Sequence, residues 1–212
     1  MNPTPEKTSV MAPFILMLFL YFIVGLFTVI NQQFQVPLKS ALLPHDGNMT
    51  NALVTLLNFS WFLAYPFSEG FATRWVDRLG YRKTSVYSLL IFIAGLGFYE
   101  AAVLLHIYAP SYITIMGNPI FTGFFVFLSG SFVIGMAVTI LQVVTGLYLD
   151  VNPVGKTTPL QRQMIGGTTN SIGMAIGPLV VSYIIFYGIP LHNIQSREFI
   201  WPVICLIAII CI

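Results

Sequence analysis

The sequence predicts an all-α, multi-spanning membrane protein, and three observations carry that prediction. Of 212 residues, 57% are hydrophobic and 15% aromatic, while only 8% are charged; a soluble domain carries about 25% charged residues. Apolar runs recur along the chain, most of them as long as or longer than the ~20 residues a helix needs to cross a bilayer. Short polar stretches rich in Gly, Pro and charge separate those runs.

Six segments follow in order, at about 13–43, 51–75, 85–107, 120–149, 164–187 and 199–212. The first exceeds a simple span, so a tilt or a bend at Pro37 is expected. Pro44-His45-Asp46-Gly47-Asn48 reads as a turn, and Asp77-Arg78-Leu79-Gly80-Tyr81-Arg82-Lys83 as a short, strongly basic loop. The uncharged stretch from Tyr108 to Pro119 is expected to lie as a loop along the outer interface. Asp150 to Gln163 reads as a polar connection. Segment six, from Phe199 to Ile212, holds 14 residues, a rise of about 21 Å against a hydrocarbon core of ~30 Å. The expectation is the front part of a longer protein with segment six truncated.

The basic residues orient the bundle. With a cytoplasmic N-terminus, the inner side holds Lys7, Arg74, Arg78, Arg82, Lys83, Lys156 and Arg162, and the outer side only Lys39 and Arg197. That asymmetry follows the positive-inside rule. The first apolar run lacks a small-residue cleavage site, so a retained helix is expected in place of a signal peptide.

The bulk numbers also exclude function classes. A net charge of +2 gives no footprint for a nucleic acid. Cys205 and Cys211 lie in the last apolar run, and the histidines are scattered at segment ends, so neither a metal nor a cofactor is implied. No nucleophile–base pair or phosphate-binding loop stands out, which argues against an enzyme.

The polar residues inside the apolar runs are the candidates for function. Thr28, Asn31, Gln32 and Gln35 fall at i, i+3, i+4 and i+7, the spacing of one helix face. A lipid-facing amide without a partner costs roughly 2–7 kcal/mol, so this stripe is expected to face protein or a wet cavity. Asn58, Trp61 and Tyr65 share a face of segment two. Gln142 and Asn170 mark segments four and five, and Glu100 is the one carboxylate well inside a segment. Intramembrane polar groups either bind and couple or glue helices together. Gly173 with Gly177, and Ser131 with Gly135, have the small-residue spacing that lets helices approach closely.

This arrangement resembles the N-terminal half of a major facilitator transporter, a six-helix fold built as a 3+3 inverted repeat. Asp77, Arg78, Gly80, Arg82 and Lys83 match the superfamily's signature G-x-x-x-D-R-x-G-R-[RK], with Thr73 in place of its first glycine. Within the superfamily the chain looks like the fucose-permease group of sugar–proton symporters. The likeness rests on Asn31-Gln32-Gln33-Phe34-Gln35 with Pro37-Leu38-Lys39, on Thr139-Ile140-Leu141-Gln142-Val143 with Tyr148, and on Arg162 followed by Asn170-Ser171-Ile172-Gly173 and Pro178. The resemblance implies alternating-access uptake of a neutral monosaccharide in a bacterial inner membrane, completed by a C-terminal half. A sugar site needs donors and acceptors for its hydroxyls and an aromatic face for its C–H side, which makes Asn31, Gln32, Gln35, Asn58, Trp61, Gln142 and Asn170 the substrate-binding candidates. As the one carboxylate well inside a segment, Glu100 is the coupling candidate; the resemblance implies a cytoplasmic latch at Asp77, Arg78, Gly80 and Arg82, in which Glu69, near the inner end of segment two, is expected to pair with Arg74, Arg162 or another base. Gln35 and Gln142 stand where the fucose permease has acids, and an amide cannot titrate, so uniport competes with ion coupling. The same residues are also compatible with transport of another small solute, and with a non-transporting membrane sensor of the same fold.

Overall fold

The computed structural model describes residues 11–34, 43, 48–115, 118–185 and 187. Gln35, most of the stretch between segments one and two, and all of segment six lie outside them. Four described helices are long and apolar enough to cross a membrane, and the protein is an all-α membrane protein with one small β-hairpin.

Helix α1 spans Met11–Gln33. Its 23 residues rise about 35 Å, and apolar side chains cover its whole circumference. Met17, Leu20, Val24, Phe27 and Ile30 point into the bundle, while Ile15, Leu16 and Phe19 are exposed. A helix apolar on every side is what lipid on one face and protein on the other require.

Segments two and three are two helices, as the sequence indicates, but they meet at Gly80 without a longer loop, and together they make up α2 (Asn48–Tyr108), with a first arm before Gly80 and a second after it. A straight helix of 61 residues would reach about 90 Å, three times the bilayer core. Gly80 adopts φ 78° and ψ 167°, a conformation essentially reserved for glycine, and there the chain folds back on itself. Trp61 on the first arm and Tyr99 on the second line the same small cavity, although a straight helix would hold them about 57 Å apart. Nearer the turn, the rings of Trp75 and Tyr87 meet edge-on at 6.3 Å. The basic loop is thereby reduced to one residue of non-helical backbone.

The stretch expected as a loop after Tyr108 contains an antiparallel hairpin, β1 (Tyr112–Ile115) and β2 (Asn118–Phe121), with Tyr112 opposite Phe121. Tyr-Ile-Thr-Ile suits a strand because its β-branched and aromatic side chains fit a pleated surface. Helix α3 (Thr122–Val151) follows directly, two residues later than the sequence indicates. Helix α4 (Pro159–Val180) begins five residues earlier than expected, within the polar connection. Thr158 and Gln161 form a reciprocal capping box there and Pro159 occupies the first turn, both strong helix-start signals. Past Pro178 the helix widens into a π-type turn over Val181–Ile185.

Small residues set how close the helices come. A side chain at Gly25 would overlap the Asn170 carbonyl oxygen, and one at Gly173 the Phe22 carbonyl oxygen, so α1 and α4 touch backbone to backbone. Against α2, Gly135 of α3 lies over the Trp61 carbonyl and Gly130 over that of Gly95. Ser60 donates to the Leu128 carbonyl at 2.9 Å, and Ser131 to that of Leu57 at 3.3 Å. With lipid as apolar as leucine, such close contacts and interhelical hydrogen bonds are what hold helices together.

The two ends of the bundle differ in charge. Tyr81 meets Tyr148 at 5.3 Å, and Phe14 packs with Leu149 and Val154, so the Gly80 turn, the start of α1 and the end of α3 lie together. Arg74, Arg78, Arg82, Lys83 and Lys156 are all exposed around that end. The β-hairpin, which carries no charge, is at the other.

Candidate functional site

The centre of the bundle brings together one amide, one phenol and one indole. Tyr99 is fully buried, stacked on Phe127 with ring centroids 3.7 Å apart. Its hydroxyl donates to Asn31 Oδ1 at 2.9 Å. This bond ties α1 to the second arm of α2 across the interior. Trp61, 1% exposed, enters from the first arm. Asn31, Trp61 and Tyr99 line one small cavity with Phe27, Phe92 and Ile134 among its apolar walls. Trp61 and Ile134 lie near the middles of their helices, which puts the cavity near mid-depth in the bundle.

One polar atom of this cluster, Asn31 Nδ2, has no partner among the described residues, while the Trp61 indole has the Tyr65 hydroxyl beside it. A buried group left in that condition costs about 1–3 kcal/mol. The cavity volume is about 10 Å3, room for one water-sized body and far below the roughly 300–1,000 Å3 of a small-molecule pocket. Among the described residues, this cavity is too small to enclose a monosaccharide.

The segment-one stripe divides accordingly. Asn31 is buried, Gln32 is exposed and Thr28 is half-buried with its hydroxyl donating to the Val24 carbonyl. Neighbouring helix positions diverge by about 100°, so Asn31 turns inward and Gln32 away from it. Gln35 lies outside the described residues. Gln142 is half-buried on α3. Asn58, one turn before Trp61, is half-buried with Oδ1 unpartnered among the described residues. The Tyr65 hydroxyl approaches both Trp61 and Thr28, which extends this polar line along the α1–α2 seam.

Asn170 belongs to a different seam. Its Nδ2 donates to the Tyr21 carbonyl at 3.0 Å, directly where α1 and α4 cross at Gly25. The side-chain amide joins helices there and is not part of the cavity wall. Glu100 is half-buried on the second arm with one carboxylate oxygen, Oε2, buried and unpartnered among the described residues. It neighbours Tyr99 in sequence but is not among the residues lining the cavity.

The latch residues separate in the same way. Glu69, Asp77, Arg78 and Arg82 are exposed, and Gly80 forms the turn itself. Arg162, expected to pair with a carboxylate such as Glu69, is 2% exposed and donates to carbonyls. Its Nε reaches Leu149 O at 2.6 Å, and its two terminal nitrogens reach Thr157 O and Asp150 O, both at 2.8 Å. The cation thus closes the carbonyl-rich C-terminus of α3, where the helix dipole favours positive charge. Beside it, Gln163 Nε2 donates to the Gly146 carbonyl at 2.7 Å.

Sequence reasoning missed Tyr99. Its one signal was a hydroxyl in the middle of an apolar segment, hard to single out in a chain with ten tyrosines. Among the described residues, no group of three or more His, Cys, Asp or Glu could hold a metal ion. No family model matches this chain, nor does any curated protein or solved structure.

Proposed function

We propose that this chain is the N-terminal half of a secondary transporter of the major facilitator type, taking up a neutral monosaccharide by alternating access and resembling the fucose-permease group. A second six-helix half completes the substrate cavity in this reading. The basic end, with the start of α1, faces the cytoplasm.

The observation that carries the proposal is the buried Asn31–Tyr99 pair beside Trp61. Intramembrane amides and phenols are expensive, and they mark substrate paths more often than lipid-facing surfaces. Exposed Gln32 and half-buried Gln142 supply the donor–acceptor amides that sugar hydroxyls need. Gly80 adds support, because the signature loop's glycine falls at the one position in α2 where backbone geometry demands it.

The test is uptake of labelled fucose, glucose and galactose by cells producing the full-length protein. Saturable uptake, diminished by Gln32→Ala and Gln142→Ala at normal expression, is the expected result. No uptake of any neutral sugar would sink the assignment. Transport by the 212-residue chain alone would refute its being half of a transporter. Medium acidification or alkalinisation during uptake separates symport from uniport.

A further inference from the structure

The exposed faces of the two arms of α2 end in the same pattern as they approach Gly80. On the first arm Phe71, Trp75 and Arg78 fall at i, i+4 and i+7, and on the second Lys83, Tyr87 and Leu90 repeat that spacing. Each set shares one helix face. Phe71 is 52% exposed and Leu90 55%, an apolar surface of the kind acyl chains cover. The Trp75 and Tyr87 rings meet edge-on at 6.3 Å, so the two faces adjoin across the seam between the arms. Tryptophan and tyrosine collect at the boundary between hydrocarbon and headgroups. Arg78 and Lys83, about one helical turn nearer Gly80, lie at headgroup depth in that frame.

Both cations are exposed, and neither forms an ion pair with a described residue. The carboxylates of α2 fall on other faces. Asp77 is about 200° round the helix from Trp75, and Glu69 about 120°. The second arm carries no acid before Glu100.

We propose that this seam is a binding site for one anionic phospholipid. Its phosphate sits between Arg78 and Lys83, its glycerol backbone against the Trp75–Tyr87 pair, and its acyl chains along Phe71 and Leu90. Two unpaired cations favour an anionic headgroup, and a zwitterionic one would find no carboxylate on this face for its ammonium group. A soluble phosphate would use the cations but not the apolar surface that leads to them. The site requires the chain to lie in a bilayer but not to transport, so it is independent of the assignment above.

The experiment titrates the full-length protein in detergent with phosphatidylglycerol and, separately, phosphatidylcholine, and counts bound lipids by native mass spectrometry. The first phosphatidylglycerol is expected to bind at a lower concentration than the first phosphatidylcholine. Arg78→Gln and Lys83→Gln should each weaken that binding about fivefold, and Arg78→Lys should keep most of it. Lys156→Gln removes the same charge from the connection between α3 and α4 and should leave the binding nearly unchanged. Equal binding of the two lipids overturns the proposal. An equal loss in Lys156→Gln overturns it too, since the attraction is then diffuse, and Arg78→Lys as weak as Arg78→Gln removes charge as its basis. Glycerol phosphate, the headgroup without chains, should not displace the lipid at equal concentration; displacement would overturn the choice of a lipid.

Discussion

The Tyr99 hydroxyl donates to Asn31 Oδ1 at 2.9 Å, joining residues 68 positions apart in the middle of the helical bundle. Removing one partner should be worse than removing both. Tyr99→Phe is expected to destabilise the protein by about 0.6–1.7 kcal/mol, the range for interhelical hydrogen bonds in membranes. Asn31→Leu combined with Tyr99→Phe should fall short of the sum of the single effects, since an apolar pair leaves nothing unsatisfied there. Thermal unfolding of the four proteins in detergent measures the coupling, and simple additivity would contradict it.

Gly80 should be irreplaceable as a backbone element. Gly80→Ala forces a side chain into φ 78°, ψ 167° and should cost about 1–3 kcal/mol. Gly97 supplies the control, because nothing lies within 4 Å of a Cβ built there. Gly97→Ala should be neutral or stabilising by up to about 1 kcal/mol. Equal effects at the two positions would argue against the one-residue turn.

The α1–α4 crossing has no room for a methyl group. Gly173→Ala would press on the Phe22 carbonyl and is expected to cost about 1–3 kcal/mol, the usual penalty of overpacking. Gly167→Ala, on the same helix with open space around it, should leave the melting temperature close to that of the parent. A melting temperature for Gly173→Ala at or above the parent's would show that the helices separate without cost.

Arg162 should be structural at the end where α3 meets α4. Arg162→Met leaves the carbonyls of Leu149, Asp150 and Thr157 without their charged donor, and each such bond contributes about 1.5–3 kcal/mol. Faster amide exchange confined to residues 150–162 is the expected signature. Glu69→Gln, at an exposed carboxylate, should leave exchange there unchanged; a matching increase would restore Glu69 as the partner of Arg162.

Orientation can be read by labelling. In a background lacking Cys205 and Cys211, Thr114→Cys should react with a membrane-impermeant maleimide on intact cells. Lys156→Cys should react only after permeabilisation. The reverse pattern would place the basic end outside.

The sequence by itself determined the membrane class, the approximate course of the first five apolar segments and the difference in charge between the ends. These are local or additive properties. Hydropathy accumulates residue by residue, the basic residues cluster around Gly80 in sequence, and the small-residue spacings on α3 and α4 follow helical periodicity. It also named Asn31 and Trp61, because an amide or an indole in an apolar run is conspicuous without any fold. The early start of α4 was legible too, in Thr158, Pro159 and Gln161, but the surrounding polarity obscured it.

Only the tertiary structure decided what each polar group faces. Asn31 and Gln32 stand side by side in sequence, yet one is buried and the other exposed, because a helix turns about 100° between them. Asn170 went to the α1–α4 seam because Gly25 lets the two backbones touch there. Arg162 went to carbonyls because the turn after α3 brings Leu149, Asp150 and Thr157 around it. Tyr99 became the partner of Asn31 through the reversal at Gly80, which returns the second arm alongside the first. Periodicity assigns a residue to a face of its own helix; what lies opposite that face depends on chain reversals and close approaches that join residues distant in sequence.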